Sequence, residues 1–468
     1  MPKVIVVGSG NAAMSAGIAA LEAGAEVLML EKAAEPLAGG NTKYTAGAMR
    51  VASATPEEVL LLLSNPTDER IPRTDFGSYT REKFAADLLG FNEGRPLSPE
   101  QETLVAESYG AVRWLAGHGV TYEPIYARQS FEKEGRFVFW GGLTLAADNE
   151  GVGLFEMERA AFERLGGRIR YDSGVTDLII SDPTPDTQGE STANDAAADH
   201  GSPGSRITGV MVGDEAIHAD AVILASGGFE ASDDMRVTHM GPDWSVAKVR
   251  GTPHNTGDGL RMALACGARS YGKFDGCHAT PMDLHMKDFG NLDLPPKDRK
   301  NYRKICYFLG VMLNANGERF VDEGINFRNY TYAQFGRAVL EQPGHFAWQL
   351  FDAKVLDLLY GEYHFHDASF VEADTLDDLV TKLQGVDPAA ALATLTAYND
   401  AVDEHTPFDP TALDGKGTKG LPLAKSNWAQ KFDTAPFRAY PVTGGITFTY
   451  GGLIVSDQCE VLDHEEKP

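Results

Sequence analysis

Three small residues and one acid, Gly8, Gly10, Ala13 and Glu31, carry the first chemical signal in the chain. They stand in VIVVGSGNAAMSAGIAALEAGAEVLMLEK, residues 4–32. Gly8 permits a tight turn, Gly10 lets backbone approach a pyrophosphate, and Ala13 lets a helix pack on a strand. The helix opening at Asn11 and Ala12 offers N–H groups and a partial positive charge to phosphate oxygens. Glu31 lies 21 residues after Gly10, with Lys32 beside it, where a carboxylate can accept from ribose hydroxyls. These residues imply dinucleotide binding. Taken alone, the stretch leaves NAD and FAD open.

The elements that must position them follow from the pattern. A β-branched run, Val4 to Val7, precedes the turn, an Ala-rich helix runs to Gly24, and a second apolar run ends in Glu31. Gly39 and Gly40 make a second backbone approach point, and Thr45 to Ala52 begins a helix pattern. In PEQETLVAESYGAVRWLAGHGV, residues Leu104, Ala111, Trp114 and Leu115 repeat at helical spacing and predict a core face. A hairpin is predicted around Glu134–Gly135 and strands at 168–171, 175–180 (opening on Val175) and 207–212. Residues 221–230, AVILASGGFE, form a second strand–Gly–Gly element, so Ala225, Ser226 and Gly227 suggest a second wall of the cofactor site. In NTGDGLRMALACGA, Asp258 can cap the following helix or meet a cofactor hydroxyl. Further on, strands are expected at 310–313, 319–321 and 346–351, and helices at 332–341, 376–383 and 388–404.

Composition narrows the function classes. The 468 residues suffice for two or three domains, and a net charge of −26 argues against sequence-independent nucleic-acid binding. The four cysteines form neither a C-x-x-C pair nor a metal spacing and read as reduced thiols of a cytoplasmic protein. The first residues enter a Gly-broken strand rather than a secretory signal, and no apolar run of about 18 residues predicts a transmembrane segment. Residues 181–205, rich in Ser, Asp, Pro, Gly and Ala, are expected to be an exposed disordered acidic loop.

Several segments together identify a family. GSGNAA (8–13), EK (31–32), GGNTKYTAGAMR (39–50), ASGGF (225–229), NTGDG (255–259), VMLNANGERFVDE (311–323) and TYGGLIV (449–455) resemble the flavoproteins of the fumarate reductase, succinate dehydrogenase and ketosteroid dehydrogenase superfamily. The resemblance spans nearly the whole chain. Within that superfamily GTPHNTGDG, GCHAT, ERFVDEGINFRNYTYAQFGRAVLEQPG and PVTGGITFTYGGL are most similar to tricarballylate dehydrogenase and its relatives.

The resemblance implies an α/β fold: a Rossmann-like FAD-binding domain (1–272) interrupted by an α+β capping domain (273–440). Residues 441–468 would then return to the first domain. Gly39, Gly40, Asn41, Thr42, Ala46 and Gly47 would lie near the isoalloxazine, with Val175 among the cofactor contacts. Covalent relatives carry a His in that loop. Lys43 and Tyr44 stand here, which implies non-covalent FAD. Relatives continue past the GGL strand, so a chain ending at Pro468 is expected to be truncated, with impaired flavin affinity.

The implied reaction desaturates a small polycarboxylate by hydride transfer to flavin N5 and proton transfer via Arg328. His278 would act beside it on a substrate carboxylate. Thr280, Arg303 and Tyr450 complete the implied substrate contacts, and Lys304 is a further cation or relay. A carboxylate partner, such as nearby Asp322 or Glu323, is expected to help so poor a base as arginine. Thr447 and Phe448 stand where fumarate reductases carry a His pair. With no haem or cluster motif, electrons are expected to leave to a separate acceptor protein or quinone-linked partner. The alternatives are a fumarate reductase-like enzyme, a 3-ketosteroid dehydrogenase-like enzyme, which would need an apolar cleft, or a non-catalytic flavin-binding protein.

Overall fold

The computed structural model describes residues 1–53, 55–92, 94–139, 142, 144–181 and 206–468. The expected loop 181–205 lies outside the described residues except for Ser181, which ends a strand. The described chain forms two compact units. One comprises Met1–Phe229, His254–Lys273 and Gly451–Pro468, the other Glu230–Pro253 and Phe274–Tyr450. Two stretches depart from the expected boundaries. Residues 230–253 join the second unit, and so do residues 441–450. The latter cannot leave it, because Phe437–Thr449 is one continuous strand shared by four neighbours.

The first unit is built on a parallel sheet. Strands β1 (Lys3–Val7), β2 (Glu26–Leu30), β3 (Arg168–Arg170) and β4 (Ala221–Leu224) lie in the order β4-β1-β2-β3. Helix α1 (Asn11–Glu22) joins β1 to β2 and buries Ala13, Met14, Gly17 and Ile18. Small residues on that face bring the next layer close. A Cβ on Gly17 would lie 2.7 Å from the Phe162 ring, so no larger residue fits. Phe155 and Phe162 join Val6, Val27 and Met29 in this core, each buried ring contributing about 1.5–3 kcal/mol.

Two expectations for the first unit are corrected. Helix α2 (Pro99–Gly117), opened by a Ser98–Gln101 capping box, buries Val105, Ser108, Val112 and Leu115, whereas Leu104 is half exposed and Ala111 exposed. The core face is therefore turned by one residue. The segment 45–52 is not helical. Gly47 takes a left-handed φ of +65° against the start of helix α3 (Glu150–Arg164), and Ala48–Met49 becomes a short strand. The hairpin around Glu134–Gly135 forms as expected, between Ser130–Lys133 and Arg136–Phe139. Helix α4 (Asp258–Ala265) closes the set.

The second unit is a mixed sheet covered by helices. Its strands are β5 (Lys248–Val249), β6 (Cys277–Asp283), β7 (Val311–Leu313), β8 (Phe346–Phe351), β9 (Val371–Ala373) and β10 (Phe437–Thr449). The path runs β5-β10-β8-β7, with β6 and β9 also paired to β10. Helix α5 (Arg328–Leu340) crosses β6 at glycine, since a Cβ on Gly336 would lie 2.5 Å from the Thr280 nitrogen. Helices α6 (Leu376–Lys382) and α7 (Pro388–Ala401) complete the unit. Asp387 caps α7 by accepting from the Ala389 and Ala390 N–H groups. The expected strand 319–321 is a single bridge, Arg319 to Leu313, because the Arg319 side chain turns to the buried carboxylate of Glu323. Among the described residues no helix is long and apolar enough to cross a membrane.

Candidate functional site

The dinucleotide cradle in the first unit is assembled where β1 and β4 end side by side. Gly8 has a φ of +105°, and a Cβ there would sit 2.5 Å from the Ala225 carbonyl oxygen. A Cβ on Gly10 would meet Thr42 Oγ1 at 3.5 Å and the Gly39 carbonyl at 3.8 Å, ordinary van der Waals contacts. Gly10 caps α1 without a side chain, Asn11 and Ala12 are exposed at its start, and Ala13 is buried beneath. An uncapped helix start above a glycine turn is the donor set a pyrophosphate needs, so the residues present fit a dinucleotide.

The other expected contacts gather around this turn. The Asn11 N–H donates to Thr42 Oγ1 at 2.9 Å, which ties Gly39, Gly40 and Asn41 to the helix start. Ala46 and Gly47 follow in the same loop. Glu31 is buried and accepts from the Ala33 N–H at 2.7 Å and from the Ser9 hydroxyl. Ser9 also accepts from the Gly39 N–H at 3.0 Å. Ser9 thus joins the turn, the acid and the loop. Sequence reasoning passed over it, although its place between the two glycines was the available signal. Lys32 bonds Asp258 and Thr256, each at 2.7 Å, linking the end of β2 to α4. Asp258 is the first residue of α4 and does not cap it; Gly257 takes that position. Ser226 packs against Gly259, and Gly227 against Asn255. Val175 packs with Ile5, Val7 and Leu30, which gives its side chain a core role.

Gly8→Ala tests the cradle. Both its positive φ and the Ala225 carbonyl oppose a methyl group there. Flavin content of the purified protein is expected to fall at least tenfold, with a lower melting temperature. Full flavin occupancy in the variant would show that the turn does not work this way.

A second constellation lies within the second unit. His278 on β6 is buried, stacks on Phe448 (ring centroids 4.8 Å apart, 25° between planes) and meets the edge of Tyr332 at 5.0 Å. Tyr450 lies 6.0 Å from Phe448, and burial pushes its phenol up to about 12. Burial, then Arg250 and Arg303, pushes the His278 imidazole down to about 3, so it is neutral at ordinary pH. His278 Nδ1 is buried and has no hydrogen-bond partner among the described residues. Thr280 is fully buried, with its hydroxyl 3.4 Å from the Met282 sulfur.

Buried cations and their partners lie in the same unit. Arg303 donates to Glu362 at 2.6 Å, while its Nε is buried and has no partner among the described residues. Lys304, fully buried, donates to the Glu362 carbonyl at 3.1 Å and lies 3.7 Å from Asp283. Arg328 opens α5, one helical turn before Tyr332, and its Nε donates to Tyr360 OH at 2.9 Å. Burial opposes its charge most strongly, but Tyr360, Cys306 and Tyr332 together hold its pKa above the ordinary value. The expected neighbours are turned elsewhere: Glu323 bonds Arg319 and the Met312 N–H, and Asp322 bonds Ser426. Sequence reasoning missed Arg250, Tyr360 and Glu362. No local signal marks Tyr360 and Glu362, which reach the site from 32 and 59 residues beyond their partners.

The chain is similar to known proteins over its whole length. The chain is 26% identical to a probable fumarate reductase, Ifc3, of Shewanella frigidimarina, over 100% of its own length and 68% of that protein. It is 26% identical to a vinyl phenol reductase of Lactiplantibacillus plantarum, over 99% of its own length and 87% of the relative. Among solved structures, an open flavocytochrome c3 fumarate reductase superposes with a TM-score of 0.68 at 24% identity, covering 100% of this chain and 71% of that one. A 3-ketosteroid Δ1-dehydrogenase from Sterolibacterium denitrificans gives 0.70 at 18% identity, covering 100% and 92%. Residues 3–468 match the FAD binding domain family. The protein therefore belongs to that family and is an FAD-dependent oxidoreductase, similar to fumarate reductases.

Proposed function

We propose that this chain interconverts a C–C and a C=C bond next to a carboxylate in a small polycarboxylate of the tricarballylate type. Bound FAD, held without a covalent link, supplies the hydride acceptor at N5. The chain's own residues do the rest. Arg303 and the neutral His278 hold a carboxylate, Thr280 and Tyr450 line the site, and Arg328 carries the proton. The observation behind this reading is the burial of Arg303, Arg328 and His278 together in one unit. A guanidinium in such surroundings needs an anion, and its fork matches a carboxylate. The start of α5 adds to this, since Arg328 sits at the positive end of the helix dipole with no acid in the first turn.

A second reading has its own support. Phe448, Tyr332 and Tyr450 form an aromatic group around His278, which suits a ring-bearing substrate such as a cyclic ketone. Electrons would pass to or from a separate protein or quinone-linked partner, in keeping with relatives named fumarate reductase (cytochrome). The four free cysteines favour a cytoplasmic site.

Anaerobic mixing of the flavin-loaded protein with succinate, tricarballylate, citrate and steroids tests both readings. Bleaching of the flavin by a polycarboxylate is expected. Bleaching by steroids alone would overturn the first reading, and bleaching by none would favour a binding role.

A further inference from the structure

The ladder between β6 and β10 holds one extra residue on β10. His278 lies opposite Phe448 and Ala279 opposite Ile446, so Thr447 is left as a bulge. In a regular strand residues 446 and 448 would share a face, because side chains alternate with a period of two. The bulge breaks that period. Ile446 stays in the core with Ala279 and Cys277, at 0% exposure. Phe448 instead turns to the face that carries His278 and stacks on its imidazole, the ring centroids 4.8 Å apart and the planes at 25°. Phe448 is 46% exposed, while the imidazole it covers is 8% exposed. The bulge thus gives up the burial of one aromatic ring and gains cover for one histidine.

From this geometry we infer that Phe448 is a positioning residue, which covers one face of His278, fixes the imidazole plane and leaves a ring-edge N–H to donate to a substrate carboxylate. The inference rests on the carboxylate reading above and adds to it the residue that aims His278. Both nitrogens of an imidazole lie in its edge, so a stacked face costs it no hydrogen bond. Tyr332 of α5 stands against the same imidazole at 5.0 Å and 74°, which fixes a second direction. Tyr450 lies beyond the covering ring, 6.0 Å from Phe448. The cover also keeps water from the imidazole. Burial is the first cause of its lowered pKa, and the charged groups that act on it, Arg250 and Arg303, are both cations. Helix α5, which crosses β6, also carries Arg328 and Arg337. Letting water reach the ring therefore removes the main influence and raises the pKa.

The test uses the flavin-loaded chain with isotope-labelled histidine. Nuclear magnetic resonance reads the His278 signal, identified by its loss in His278→Gln, and flavin difference spectra read tricarballylate binding. In the unaltered protein the His278 signal is expected not to titrate between about pH 5 and pH 8. In Phe448→Ala it should titrate with a midpoint above about 5, nearer the ordinary histidine value. The same variant should bind tricarballylate about fivefold more weakly at pH 8, the worth of one lost ring–ring contact. Phe448→Tyr keeps the ring and should restore both readings. Phe448→Leu keeps apolar bulk without the flat ring and should shift both in the alanine direction by less. Flavin content and melting temperature check folding, and if the alanine variant is not folded, the leucine variant decides. A His278 signal that stays fixed in folded variants, or one that moves while tricarballylate binds as before, overturns the inference. So does a signal that already titrates in the unaltered protein. If the unaltered protein binds no carboxylate, the carboxylate reading falls and takes this one with it. If it binds tricarballylate and Phe448→Ala leaves both readings unchanged, only the role of Phe448 is lost.

Discussion

Arg328→Ala is expected to slow substrate-dependent flavin reduction by about 10³-fold, within the range for loss of a positioned acid–base group. Arg328 is buried at the first position of α5, its Nε bonded to Tyr360 OH and its guanidinium 4.7 Å from the centre of that ring. A cation at the N-terminal end of a helix is opposed by the helix dipole, and burial opposes it again. Burial is the largest single influence, but Tyr360, Cys306 and Tyr332 together hold the pKa above its ordinary value, so the group stays protonated. In the reducing direction it can give a proton to substrate carbon. In the proposed oxidising direction Arg328 must first give up a proton, which Tyr360, bonded at 2.9 Å, accepts when ionised, and the neutral guanidine then takes the proton from substrate carbon. Tyr360→Phe should therefore slow oxidation about tenfold and disturb its pH profile, while flavin content stays normal. Stopped-flow absorbance gives the rates, and flavin content with melting temperature separates chemistry from folding. A folded, flavin-loaded Arg328→Ala protein that is reduced at the original rate would remove Arg328 from the mechanism.

What could be read from sequence was the part written in neighbouring residues. The stretch 4–32 names its own strand, turn, helix and acid because β-branched runs and glycines act locally. The α2 face was misread for a physical reason. Ser108 breaks the apolar period, yet it is buried because its hydroxyl donates to the Val105 carbonyl and accepts from the Ala52 N–H. A satisfied polar residue can hold a core position, and hydrophobicity alone cannot reveal it. The helix expected after Thr45 failed at Gly47, where contact with α3, more than 100 residues away, sets the backbone. The candidate substrate site divides in the same way. His278, Arg303 and Arg328 came from motif resemblance, whereas Arg250 and Tyr360 are brought in by strand pairing and loop packing that no local pattern encodes.

Glu158 leads to the second large effect, and it concerns stability. The residue lies on α3 with no exposure, and neither carboxylate oxygen has a partner among the described residues. Tyr122 OH is likewise buried and without a partner among them, and burial followed by the Glu158 charge pushes its phenol upward. Burial pushes the Glu158 carboxyl up from 4.5 to about 8. Below pH 4.5 the acid is protonated in both the folded and unfolded chain, and its contribution does not change with pH. Between 4.5 and about 8 the unfolded chain releases the proton while the folded chain keeps it, so stability falls steadily as pH rises. Above about 8 the folded chain must either ionise a buried carboxylate or open. Across that window the loss amounts to about 4–5 kcal/mol at most. Glu158→Gln keeps the shape and removes the titration. Urea unfolding at pH 5 should find the two proteins within about 1 kcal/mol, while at pH 8 the glutamine protein should be the more stable by several kcal/mol. The same fall in stability from pH 5 to pH 8 in both would mean that the Glu158 proton is not what the pH dependence reports. The buried carboxyl would then have to be ionised and paired with a cation.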